Sequence, residues 1–205
     1  MRRLGQVLGV EAMALYKHVP SKAALLDGMV GAILTELEIP PADPVDWEVR
    51  VRAVASAYRR LAHAHPNLFP LVVTRPLNAP EVLRPLEATL DVFLTAGFDA
   101  VTTLHAFRAL SSYVEGYVLD EITGFSFTAA DQGEGPRLEI NRLDPLEFPR
   151  ISELAPHFAE QERDVEFEFG LNALVVGLRA ALASLGEEGR NVEPSTQNSE
   201  RNERV

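Results

Sequence analysis

Apolar side chains in this chain recur at intervals of three and four residues, and almost nowhere do they alternate with polar ones. Leu83, Leu86, Leu90, Phe93 and Leu94 keep that spacing, as do Phe167, Leu171, Leu174, Leu178, Leu182 and Leu185. A period near 3.6 places such residues on one side of a helix, whereas a half-buried strand needs a period of two. The chain is therefore predicted to be all-α.

Breakers divide the pattern. Gly9 and Pro20 end the first two segments, and Pro40, Pro41 and Pro44 separate a short N-terminal region from the rest. Ser21 and Asp46 are placed to cap the helices that follow them. Expected helices run over 2–9, 10–19, 21–37, 46–64, 79–96, 99–123, 150–160 and 163–185. Residues 65–78 read as short and broken, with Asn78 a cap, and Pro85 is expected to kink or restart the helix around it. Residues 125–148 read as a mobile loop, and 187–205 as a disordered tail. The expected domains are thus 1–38, 45–186 and the tail.

Two segments carry two apolar stripes each. In 99–123 one side holds Leu104, Phe107, Ser111, Val114, Val118 and Ile122, and another holds Leu110, Tyr113 and Tyr117. In 163–185 Phe169, Ala173, Val176 and Ala180 form a second stripe. One stripe is enough to dock a helix on its own core. A second stripe implies a central helix or a four-helix seam between two subunits, so a homodimer is expected.

Charge separates the ends of the chain. The formal net charge is −11, yet residues 1–22 hold four basic groups (Arg2, Arg3, Lys17, Lys22) against one acid, Glu11. An acidic body repels phosphate, so nucleic acid could be held only at the N-terminus. There the two short segments and the longer third have the layout of a helix-turn-helix, which names duplex DNA as a partner. There is no cysteine, and so no disulfide or thiolate chemistry. With no unbroken apolar run of about 18 residues and no signal-peptide core, no membrane association is expected and the protein reads as cytoplasmic.

The stretch RRLGQVLGVEAMALYKHVPSKAALLDGMV resembles the DNA-binding segment of the tetracycline-repressor (TetR) family, in the branch of the tetracycline repressors themselves. Arg3-Leu4, Leu8-Gly9-Val10, Leu15-Tyr16, His18-Val19, Lys22 and Leu25-Leu26-Asp27 carry the likeness. Thr74-Arg75-Pro76, Gly116 to Asp120, Phe167 to Leu171 and Gly177-Leu178 extend it to about residue 185. The resemblance implies a ligand-released repressor. Ala12, Met13, Ala14, Lys17 and His18 would face bases or backbone, Tyr16 and Lys22 would hold phosphates, and Arg2 and Arg3 would assist. It also implies a helix ahead of Arg2. Without one, Leu4, Leu8, Leu15 and Leu26 are expected to lack cover, and the 205-residue chain to bind operator DNA poorly. A ligand-sequestering dimer that does not bind DNA is then the rival reading.

The resemblance further implies a small-molecule cavity. Its expected lining is Val54, Tyr58, Leu71, Thr74, Arg75, Pro76, Phe93, Leu104, Phe107, Ser111 and Asp120. Tetracycline repressors hold a magnesium–drug chelate with a histidine where this chain has Leu71, and an asparagine where it has Val54. A more apolar effector is therefore expected, with Tyr58 and Thr74 supplying hydrogen bonds. No cofactor and no bound metal are expected. His63 and His65 diverge on a helix, and Glu160, Glu162, Asp164, Glu166 and Glu168 read as a solvated helix start. No nucleophile–base pattern, P-loop or dinucleotide fingerprint is present, so the chain is not expected to be an enzyme.

Overall fold

The computed structural model describes residues 1–41, 46–75, 80–123, 143–159 and 162–191. Every regular element among them is helical. In chain order these are α1 (Arg2–Leu8), α2 (Ala12–Leu15), α3 (Lys22–Leu34), α4 (Trp47–Ala64), α5 (Phe69–Thr74), α6 (Pro80–Ala96), α7 (Ala100–Thr123), α8 (Pro149–Leu154) and α9 (Arg163–Asn191). A 3-10 turn, Ala155–Ala159, follows α8.

The expected caps form. Ser21 Oγ accepts from the Ala24 amide at 3.0 Å, and Asp46 Oδ1 accepts from the Glu48 amide at 3.0 Å. Asp99 Oδ1 accepts from the Val101 and Thr102 amides, each at 2.8 Å. Gly9 closes α1 with φ 68°, a left-handed conformation that costs glycine nothing. Its amide and that of Val10 return to the Gln6 and Gly5 carbonyls, satisfying the last turn of α1.

Three boundaries depart from the sequence reading. The second helix is the four-residue α2; beyond it, amides of Lys17, His18 and Val19 bond back to Ala14 and Leu15 as isolated turns. Pro85 neither ends nor restarts α6, which runs unbroken from Pro80 to Ala96. Proline removes its amide from the ladder and crowds the carbonyl four residues back, which here is that of Glu81 in the first turn of the helix. Its ring is buried against the core, and Thr89 Oγ1 donates to the Pro85 carbonyl at 2.7 Å. The last helix continues past Gly186 to Asn191. The expected loop and tail fall largely outside the described residues, as does the Asn78 cap.

Helices α4, α6 and α7 pack on one another, with α9 laid against α7 and α4, and α3 against α5 and α6. Val51, Phe69, Val92, Phe93, Val118, Phe167, Leu171 and Val175 are fully buried where these helices meet. Phe98 meets both Trp47 and Phe93 edge-on, with ring centroids 5.6 and 5.7 Å away. Gly170 lets α9 approach α7 closely: a Cβ there would lie 2.5 Å from the Tyr113 ring. Tyr113 uses that space to donate from its hydroxyl to the Phe167 carbonyl at 2.6 Å.

The other stripe of α9 faces outward. Phe169 is 77% exposed, and Ala173, Val176 and Ala180 are exposed beside it. Contrary to the reading of runs alone, Arg163–Gly186 is long and apolar enough to cross a membrane, with mean hydropathy 1.5. On α7, Val101 and Leu104 are exposed in the same way.

Candidate functional site

The N-terminal residues that point to DNA form an exposed basic tip. Arg2, Arg3, Met13, Tyr16, Lys17, His18 and Lys22 are exposed and Ala14 is half-buried, while the side chain of Ala12 lies outside the described residues. Before Val30 the only described residue that is buried is Gly5. Val7 and Leu8 are 77% and 57% exposed, and Leu4, Leu15 and Leu26 are half-buried.

This tip is joined to the larger body through α3. Arg75, just after α5, donates from Nε to Asp27 Oδ1 at 2.7 Å and from Nη2 to the Ala23 carbonyl at 3.2 Å. His65 Nε2 pairs with Glu36 Oε2 at 2.8 Å beyond the other end of α3. Between them Gly31 lies against α6, with room for a Cβ only 3.3 Å from Val82 Cγ1.

A narrow cleft lies between α4, α6 and α7, with a cavity volume of about 20 Å³, room for a water-sized group. Val54 and Tyr58 line it from successive turns of α4, and Thr89 from α6. From α7 come Phe107, Leu110, Ser111, Val114 and Glu115, whose spacing puts them on one face. Burial first, and the Glu115 charge second, push the Tyr58 hydroxyl up to about 12. Burial also raises the Glu115 carboxyl above its usual range.

Val54, Tyr58, Phe107 and Ser111 are thus brought together. The remaining expected lining residues lie elsewhere. Phe93 is fully buried in the core, Leu104 is 44% exposed, and Leu71 packs half-buried against the core. Thr74 Oγ1 donates to the Pro70 carbonyl at 2.7 Å, and Arg75 is held by α3. Asp120 is half-buried outside the cleft lining, and Pro76 lies outside the described residues. Thr89, Leu110, Val114 and Glu115 were not anticipated. Glu115 could have been found by continuing the Phe107–Ser111 spacing one more turn. Thr89 belongs to the face of α6 that is buried, with Val82, Pro85, Val92 and Phe93 at intervals of three and four, whereas Leu83 and Leu94 of the expected stripe are exposed; Thr89 could have been found from that spacing.

A second, wider and polar depression lies where α4 meets the start of α9. Arg59 donates to both oxygens of Glu121 at 2.9 and 2.6 Å, and His63 Nε2 lies 3.1 Å from Glu121 Oε2. Burial raises the Glu121 carboxyl, but the Arg59 and His63 contacts outweigh it and hold the group below its ordinary range. Arg59 also reaches Asp164 at 2.8 Å and stands 4.7 Å over the Phe167 ring. His63 and His65 serve different partners, Glu121 and Glu36.

Residues 40–182 match the family model described as the tetracyclin repressor-like C-terminal domain. The chain belongs to the TetR family. It is 35% identical over 188 residues to the class A tetracycline repressor of transposon 1721 from Escherichia coli, covering 86% of this chain and 79% of that protein. It is 34% identical to an HTH-type transcriptional regulator from Saccharopolyspora erythraea, covering 88% of this chain and 75% of the other. Among solved structures, ActR from Streptomyces coelicolor superposes with a TM-score of 0.72 at 27% identity, over 89% of this chain and 87% of that one; it has also been solved with actinorhodin bound.

This TetR-family chain is thus a helical transcriptional regulator, and the relatives it matches are regulators rather than enzymes. It does not fit a magnesium–tetracycline chelate. Leu71 and Val54 offer no donor atom at the positions where the family resemblance places histidine and asparagine, and both pack with the hydrophobic core.

Proposed function

We propose that the chain is a cytoplasmic, homodimeric repressor that leaves its operator when a small molecule enters the cleft between α4, α6 and α7. The observation that supports this best is the cleft itself. It is largely apolar, and Tyr58 Oη, Ser111 Oγ and the Glu115 carboxylate have no hydrogen-bond or ion-pair partner among the described residues. Apolar walls with a few convergent, unengaged polar groups are what a ligand site needs.

The route from cleft to tip runs through α6. Thr89 lines the cleft, and Val82, two turns earlier, lies under Gly31 of α3. A ligand that moves α6 therefore shifts the seat of α3, with the Arg75–Asp27 pair as its second anchor. Release follows only if the ligand binds the DNA-incompetent arrangement more tightly than the competent one.

At the tip, the 12–18 segment enters the major groove, with Lys17, His18, Tyr16 and Lys22 on bases and phosphates and Arg2 and Arg3 assisting. The seam uses the outward stripes of α7 and α9. A half-buried helix whose outer stripe ends in small residues suits a twofold helix bundle; a bilayer would require apolar surface all round.

Fluorescence anisotropy on short duplexes tiled across the DNA flanking the gene tests the reading. One duplex should bind far more tightly than the rest, with affinity falling steeply as salt rises. Equal, weak binding to all of them would refute the repressor reading.

A further inference from the structure

The cleft's chemistry specifies its guest more closely than its apolar walls do. Among the described residues its lining contains one carboxylate, Glu115, and no lysine, arginine or histidine. The Glu115 carboxylate has no ion-pair or hydrogen-bond partner among the described residues. A half-buried carboxylate without a counter-charge is costly, and a cation that arrives with a ligand relieves that cost.

The hydrogen-bonding inventory has the same polarity. Thr89 Oγ1 already donates its proton to the Pro85 carbonyl at 2.7 Å, so it offers the cleft only lone pairs. An ionised Glu115 accepts only. Tyr58 and Ser111 can do either. The site is therefore richer in acceptors than in donors, and its occupant must bring protons to share. Two aromatic rings, Tyr58 and Phe107, stand in the same lining, and aromatic faces attract cations. Ser111 and Glu115, four residues apart on α7, share one face of the helix, so a single ammonium can engage both.

We infer that the effector is an amphiphilic organic cation, an apolar body bearing a protonated amine, and that Glu115 is its counter-ion. This rests on reading the cleft as the effector site. It revises the picture of a merely apolar ligand: α4, α6 and α7 part from their closed spacing, where the cavity is about 20 Å³, to take the body, and the carboxylate selects the head group.

Three probes of similar length test it on the full chain at neutral pH: 4-phenylbutylamine, 4-phenylbutan-1-ol and 4-phenylbutyrate, titrated by calorimetry at concentrations up to the millimolar range. The amine should bind about tenfold more tightly than the alcohol, and the acid most weakly. Glu115→Gln, which keeps shape and removes charge, should lower the amine to the level of the alcohol and leave the alcohol unchanged. Ser111→Leu, which fills the cleft, should weaken both. If the alcohol equals the amine, or the amine keeps its advantage in Glu115→Gln, the inference fails. In that case, alcohol binding that is still lost in Ser111→Leu leaves the effector-site reading intact. If none of the three binds, the inference and the effector-site reading fall together.

Discussion

Residues 1–29 and the body formed by α4, α6, α7 and α9 draw on the same helical periodicity, but they bury it very differently. The first region buries Gly5 among its described residues and leaves Val7, Leu8, Val10 and Met13 exposed. The second completely buries Phe93 and Phe167, and Phe69 of α5 is buried in the same core. Burial scales with the number of helices that converge. The short helices α1 and α2 and the start of α3 enclose few side chains, whereas the long helices of the body shield the side chains at their crossings from water. The tip therefore contributes little to stability and presents its side chains outward, and the body supplies the rigidity against which a ligand can act.

Four experiments can break or sharpen that contrast. Removing the Phe93 ring should cost about 3–5 kcal/mol, because a closed aromatic contact becomes a cavity. Leu8→Ala should shift stability by no more than about 0.5 kcal/mol. Urea unfolding of the two variants reads the difference, and comparable losses would mean the tip has a core of its own.

Phe169→Asp addresses the outward stripe of α9. Burying such a ring at a subunit seam contributes about 1.5–3 kcal/mol per copy, so sedimentation should show a dimeric parent and a folded, monomeric variant. A variant that remains dimeric would place the seam elsewhere. Lys17→Ala should weaken operator binding by about 1 kcal/mol and reduce the salt slope by about one, with no change in unfolding. Anisotropy titrations at several salt concentrations measure both.

The smallest effect is expected at Glu121. Its folded carboxyl titrates below the unfolded value, so the stability it contributes is present above about pH 4.3 and is lost as pH falls through the lower folded value. Glu121→Gln should therefore flatten the acid limb of the stability profile and leave the slope between pH 6 and 8 unchanged. Thermal melts across pH 3–8 check this, and a steeper acid limb would reverse the sign of the contribution.

Much of the body was legible beforehand. The stripes Phe167–Leu171–Leu178 and Val114–Val118 are buried as their spacing implies, and Ser21 and Asp46 cap the helices they precede. The cleft was less legible. Val54, Tyr58, Phe107 and Ser111 were anticipated and share it, yet Thr89 and Glu115 were not, and Phe93 is buried in the core while Leu104 is exposed. A stripe tells that a residue is covered; it does not tell whether the cover is a neighbouring helix or an open space.

The amino-acid sequence by itself determined the helices, their caps and the basic tip, because each depends on contacts a few residues apart or on the local sum of charges. Only the tertiary structure decided that Pro85 rides inside an unbroken helix, that Arg75 turns toward Asp27, and that Glu115 has no counter-ion in the cleft among the described residues. Those outcomes depend on where separate helices cross, and the energy of a crossing is shared among residues far apart in the chain.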